Sequence, residues 1–207
     1  MFAIRKAVII LGCLFGQLLF APNIRAEAPK PLSPTELNVL AACMQHLARS
    51  ESDPNATLLW NETMRNDYLA RELEEDGWDV EHHKAREEKF TDRQWEAIDD
   101  ALKSKLPRRA IKLTLAPKTW SLMDHRALVW KDDDDKEKYW AEVRRKLPAA
   151  RNVVELFNPG ISRDTNAAFV RVVVTPTEHG CARGKMLFLG LQGTAWSVEK
   201  EIDTWIE

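Results

Sequence analysis

Residues 167–174 read AAFVRVVV, and the fold turns on how that run is understood. β-Branched and aromatic side chains dominate it, as suits a pleated ribbon. With period two, Ala168, Val170, Val172 and Val174 fall on one face, and Phe169, Arg171 and Val173 on the other. Both faces are largely apolar, which predicts a central strand or one covered by helices. Upstream, residues 152–157 (NVVELF) form another strand, ended by Asn158, Pro159 and Gly160, which read as a turn. Asp164, Thr165 and Asn166 mark a second turn. Downstream, a polar loop over 175–183 leads to a strand over 184–191. Gln192, Gly193 and Thr194 then turn the chain. In the last strand Trp196, Val198, Lys200 and Ile202 alternate with Ser197, Glu199 and Glu201, predicting a half-exposed ribbon. Connections this short join antiparallel neighbours. A lone meander must bury an apolar face, and the upstream helices are its cover. The expected class is α+β, with helices packed on one face of a C-terminal antiparallel β-sheet.

The upstream helices announce themselves by their caps. Ser33, Pro34, Thr35 and Glu36 form a capping box, followed by Leu37, Leu40, Ala41, Met44, Leu47 and Ala48 at helical spacing. Residues 57–60 read as a short strand and 65–75 as a helix. Thr91 to Gln94 is a second capping box, and Trp95, Ile98 and Leu102 are the expected buried stripe of its helix. Residues 112–115 and 126–130 alternate like strands. A further helix follows Asp132 to Asp135. Tyr139, Trp140, Val143 and Leu147 supply its apolar face, Arg144, Arg145 and Lys146 its end, and Pro148 its stop. Acids first and bases last is the order a helix dipole favours.

Residues 1–26 have the make-up of a signal peptide. Arg5 and Lys6 precede an apolar core over 7–20, and Ala26 is the expected last residue before cleavage. The expected location is therefore periplasmic or secreted. Removing the segment takes Arg5, Lys6 and Arg25 and no acid, moving the net charge from −2 to −5. Residues 27–207 read as a single globular domain, long enough for a real core. No later run is apolar and long enough for a stable membrane span. A mildly acidic chain with no basic stripe argues against a nucleic-acid partner. The expected partner is an unidentified protein or small molecule.

A larger pattern runs through residues 111–206. A Trp-containing helix ends in Pro (Trp140 to Pro148), then come a strand (Val153 to Phe157) and the turn Gly160-Ile161-Ser162. The strand Ala167 to Val174, a Gly/Cys loop (Gly180, Cys181, Gly184), an apolar strand, Gly193 and a Trp-containing last strand follow. This resembles a class of small exported bacterial α+β domains of uncharacterised function. The resemblance implies a fold and no catalytic residues. Such domains often carry a second Cys in the Gly/Cys loop, and this chain lacks it.

Cys43 and Cys181 are the only cysteines after residue 26. In an oxidising compartment they can pair, closing a long loop worth ~4 kcal/mol in the chain-entropy model. The alternative is two thiols, with Cys43 buried beside Leu40 and Leu47 as a small hydrophobe. Glu178, His179 and Cys181 share one loop, the candidate functional loop. A thiol beside a His can be an activated nucleophile, but catalytic pairs usually meet from separate segments. No catalytic residue is therefore assigned. His82 and His83 are adjacent and point apart, and no HExxH or CxxC is present, so no metal is expected. The absence of GxGxxG, P-loop and GxSxG signatures gives no support to a cofactor. Of the eight tryptophans, Trp95, Trp140 and Trp196 fall on expected apolar faces, which favours packing over a stacking site. The function expected from sequence is an exported, non-enzymatic domain that binds a partner or ligand between helices and sheet. A small hydrolase or isomerase using that concavity is the first alternative, and a protein inhibitor of a secreted enzyme the second.

Overall fold

The two apolar faces of the run at 167–174 are both used. The computed structural model describes residues 30–50, 57–69, 71, 73, 90–112, 114, 120–124, 134–177 and 182–206. Three helices are described: α1 (Pro34–Ser50), α2 (Asp92–Lys103) and α3 (Asp134–Lys146). The strands are β1 (Thr57–Trp60), β2 (Ser121–Met123), β3 (Asn152–Leu156), β4 (Gly160–Ile161), β5 (Ala167–Pro176), β6 (Arg183–Gln192) and β7 (Ala195–Ile206). They form one sheet in the order β2-β1-β3-β5-β6-β7, with β4 beside β5. β1 runs parallel to β2 and β3, and the pairs β3/β5, β4/β5, β5/β6 and β6/β7 are antiparallel. The α+β class and the C-terminal meander β5-β6-β7 are as the sequence predicts.

The layering differs from a one-faced arrangement. Val170, Val172, Leu187 and Leu189 pack with Leu40, Cys43, Met44 and Leu47 of α1 in one cluster. Phe169, Met186 and Phe188 pack with Ala97, Ile98 and Ala101 of α2 in another. Neighbouring strand residues enter separate clusters, so α1 and α2 cover opposite faces. Val153 of β3 pairs with Thr175 and packs with Val143 of α3, which puts α3 on the α2 side. A strand apolar on both faces needs cover on both faces, and β5 receives it.

α1 begins with its capping box: Glu36 N–H donates to Ser33 Oγ at 3.3 Å, and Ser33 N–H donates to Glu36 Oε2 at 2.7 Å. The Thr91/Gln94 box at the start of α2 is also present. The buried side of α2 is Gln94, Ala97, Ile98 and Ala101, while Trp95 and Leu102 lie half-buried on its flanks. The expected stripe is thus turned toward the small residues. Gly160 explains the turn: a Cβ there would lie 2.0 Å from the Ala97 carbonyl oxygen and 2.7 Å from Ala101 Cβ. The helix rests almost on the β4 backbone, and only alanines fit between them.

β7 carries the other departure. Its pairing with β6 shifts between Phe188 and Leu189, and again between Gly184 and Lys185. Such bulges change which face a side chain points to. Trp196 and Val198 pack on the α1 side, but Ile202 packs on the α2 side. Glu201, opposite Leu187, consequently turns toward α1. The edge strand β2 lies at Ser121–Met123, and the strand expected at 126–130 lies outside the described residues. Ala110 makes an isolated antiparallel bridge with Glu62, so the chain there contacts the sheet two residues before the expected strand at 112–115.

Candidate functional site

After β1 the chain continues along the sheet and is stitched to two other segments. Thr63 N–H donates to the Arg109 carbonyl at 2.8 Å, Ile111 N–H to Asn61 at 2.8 Å, and Met64 N–H to Leu156 at 2.7 Å. At the junction sits Asn158, which the sequence presents as a turn residue. It is 1% exposed, and its amide binds all three segments. Asn158 Oδ1 accepts from Thr63 Oγ1 and from Arg109 Nε, each at 2.7 Å. Its Nδ2 donates to the carbonyls of Met64 at 2.9 Å and Pro107 at 3.0 Å. Asn66 extends the knot, donating to the Asn158 carbonyl at 3.2 Å and the Ala101 carbonyl at 3.1 Å. Arg109 is buried and carries the knot to the helix layer through Glu36 Oε1 at 2.7 Å. Burial disfavours the charged form of Glu36. The hydrogen bonds from Arg109 and Ser33 outweigh it and hold the carboxyl below its ordinary 4.5.

Beside this knot, between the start of α1 and residues 108–112, lies a pocket of about 280 Å³. Its walls are mostly apolar, with Leu32 and Leu37 supplied by the entry to α1. Lys30, Arg108, Arg109 and Lys112 line it, against Glu62. Arg109 is already neutralised by Glu36. Arg108 lies over the Trp60 ring, 5.4 Å from its centroid, an arrangement that holds a guanidinium flat. Its Nη1 is buried and has no hydrogen-bond partner. The pocket therefore presents Lys30, Arg108 and Lys112 beside an apolar wall. Residues 103–112 read KSKLPRRAIK, five cations and no acid, and the stitching at Asn61 and Thr63 presses the end of that run against α1.

Two other polar constellations lie elsewhere. Lys185 is 7% exposed on β6 and pairs with Glu201, with Asp203 at 3.5 Å. Glu201 Oε2 also meets His46 Nε2 of α1 at 2.6 Å. Burial again works against the Glu201 carboxylate, and the Lys185 and His46 contacts outweigh it, lowering its pKa. On the other face, at the start of α2, an open polar groove of about 650 Å³ is bordered by Arg93, Asn166 and Glu199. Arg93 is paired there with Asp164 at 2.6 Å. The α2 N–H groups facing the groove are partly taken by the Thr91 cap.

Of the candidates singled out from the sequence, Cys43 falls among the described residues. Cys43 is a free thiol, 0% exposed in the α1 cluster, and burial pushes its pKa far up. Its expected partner Cys181, with Glu178 and His179, lies outside the described residues, as do residues 1–26 and His82 and His83. Sequence reasoning missed Arg108, Lys112 and Asn158. The signal for the cations was the acid-free run at 103–112. Asn158 gave none, because one Asn-Pro-Gly triplet serves a turn or a buried junction equally. Among the described residues no group of three or more His, Cys, Asp or Glu could hold a metal ion, and no helix is long and apolar enough to cross a membrane. No family model, curated protein or solved structure matches the chain.

Proposed function

We propose that the protein is an exported, non-enzymatic binding domain, periplasmic or secreted, whose ligand site is the pocket at the start of α1. One observation carries the reading: cations without an ion pair among the described residues and an apolar wall converge on the same cavity, a combination that suits holding a ligand. Among the described residues, three groups that could serve as nucleophile or base are engaged or enclosed. Glu36 is bound by Arg109, Glu201 by Lys185 and His46, and the Cys43 thiol is buried. The export half of the proposal rests on the signal-like make-up of residues 1–26.

The test is recovery of the bound molecule. The purified protein is incubated with a small-molecule extract and analysed by native mass spectrometry. The expected result is one small molecule bound per chain, released chemically unchanged. Ala110→Trp, which places an indole in the pocket mouth, abolishes its retention while the melting temperature holds. Conversion of the molecule with turnover would replace binding by catalysis and favour a small hydrolase or isomerase.

A further inference from the structure

We infer that the occupant of this pocket is a small amphiphilic anion, a carboxylate or phosphate head on a short apolar body. The inference rests on the pocket reading above and adds the class of ligand. Size comes first. At about 280 Å³ the cavity sits near the low end of the roughly 300–1,000 Å³ typical of small-molecule sites, so a polymer segment or large cofactor is a poor fit. Charge comes second. Lys30 and Lys112 are exposed, line the pocket and make no ion pair among the described residues. Arg108, which also lines the pocket, adds a guanidinium lying over the Trp60 ring. Three cationic side chains around one cavity favour an anion, and an oxyanion accepts charge-assisted hydrogen bonds from ammonium and guanidinium groups. Chemistry of the wall comes third. Leu32 and Leu37 offer the apolar contact that a bare inorganic anion could not use. The N–H groups at the start of α1 are not the anion site, because Ser33 and Glu36 already cap them. In a chain of net charge −2, this cluster of cations selects by local rather than overall charge.

The experiment is isothermal titration of the purified protein with octanoate and octyl phosphate at low salt. 1-Octanol, octyltrimethylammonium and inorganic phosphate serve as comparison probes. Both octyl anions are expected to bind one per chain, more weakly as salt rises, with the tighter one identifying the head group. The neutral, cationic and inorganic probes are expected to bind at least tenfold more weakly. The double reversal Lys30→Glu with Lys112→Glu changes two exposed side chains and keeps the fold. It is expected to weaken the anions roughly tenfold or more while leaving octanol unaffected. Octanol or the ammonium binding as tightly as octanoate, in a manner blocked by Ala110→Trp, would overturn the anion assignment and leave the pocket as a ligand site. Inorganic phosphate matching octyl phosphate would overturn the amphiphile. Binding of neither octyl anion would overturn the ligand class. The pocket itself would then be judged by the Ala110→Trp recovery experiment.

Discussion

Asn158→Ala tests whether the pocket wall is built as described. The substitution removes an acceptor for Thr63 Oγ1 and Arg109 Nε and a donor to the Met64 and Pro107 carbonyls. Neutral hydrogen bonds contribute about 0.5–1.5 kcal/mol each and one to a charged group about 1.5–3 kcal/mol. These four share one residue, so their losses do not simply add. Thr63 Oγ1 still accepts from Arg109 N–H at 3.1 Å, which keeps part of the junction closed. A net loss of about 4 kcal/mol follows from these ranges. For a domain of this size that corresponds to a fall in melting temperature of roughly 10 °C. The assay is urea unfolding followed by tryptophan fluorescence, with the slope compared between variants so that stability is separated from compactness. Asn158→Asp is the companion. It keeps an acceptor for Arg109 but turns a carboxylate oxygen toward two carbonyls, so it also destabilises while preserving more octanoate affinity than the alanine. A loss below about 1 kcal/mol for Asn158→Ala would refute the junction, because no buried hydrogen-bonded amide of this kind is that inexpensive to delete.

Val172→Asp, a carboxylate at a 0% exposed position of β5, is expected to prevent folding or lower the melting temperature by more than 10 °C, since an isolated buried charge costs several kcal/mol; an unchanged melt would overturn the sheet assignment. Gly160→Ala is expected to cost about 1–3 kcal/mol, read by urea unfolding, because its Cβ would meet the Ala97 carbonyl oxygen at 2.0 Å. Cys43 is expected to resist an aromatic disulfide reagent in the native state and to react after denaturation; rapid native labelling of a peptide containing it would contradict its burial. Glu36 and Glu201 have carboxyls held below 4.5 in the fold, so their contribution to stability is full above that value and is lost as pH falls through the lowered values. The double variant Glu36→Gln with Glu201→Gln is therefore expected to be less stable at pH 7 and to show a flatter acid limb in melts between pH 7 and pH 3.

What the sequence revealed is governed by periodicity. The β5 run shows both faces because every second side chain repeats the same chemistry, and the capping boxes at Ser33 and Thr91 show because a side-chain oxygen three residues before an acid or amide has one natural use. Features that break a period were hidden. The expected alternation in β7 placed Lys200 and Ile202 with Trp196, and a bulge opposite Phe188 turned them to the other face. The α2 stripe went to the small residues because Gly160 admits a closer approach than side-chain size alone suggests. The cations from Lys105 to Lys112 lie in a segment with no helix or strand, so no face could be drawn for them until Asn61 and Thr63 fixed where that segment runs. The loop at 178–181 drew attention because Glu, His and Cys are chemically loud, whereas the described pocket is lined by residues that look ordinary one at a time.

The helix that forms one pocket wall is held at both ends by carboxylates. Near its start, Glu36 reaches Arg109 and through it the Asn158 junction. Three turns later His46 reaches Glu201, which the β7 bulge has turned toward α1 and which Lys185 also holds. Between these pins Val39, Leu40, Cys43 and Met44 are fully buried. The apolar contacts supply most of the attraction, but they are non-directional and would tolerate a small slide of the helix along the sheet. The ionic pins are directional and fix its register. Leu32 and Leu37 flank the first pin, so the shape of the pocket depends on it more than does the stability of the fold. Removing Glu36 therefore widens or shifts the cavity before it unfolds the protein. Removing His46 leaves Glu201 still held by Lys185 and the cavity intact. The two ends of α1 are alike in chemistry and unlike in consequence, because only one of them borders the cations.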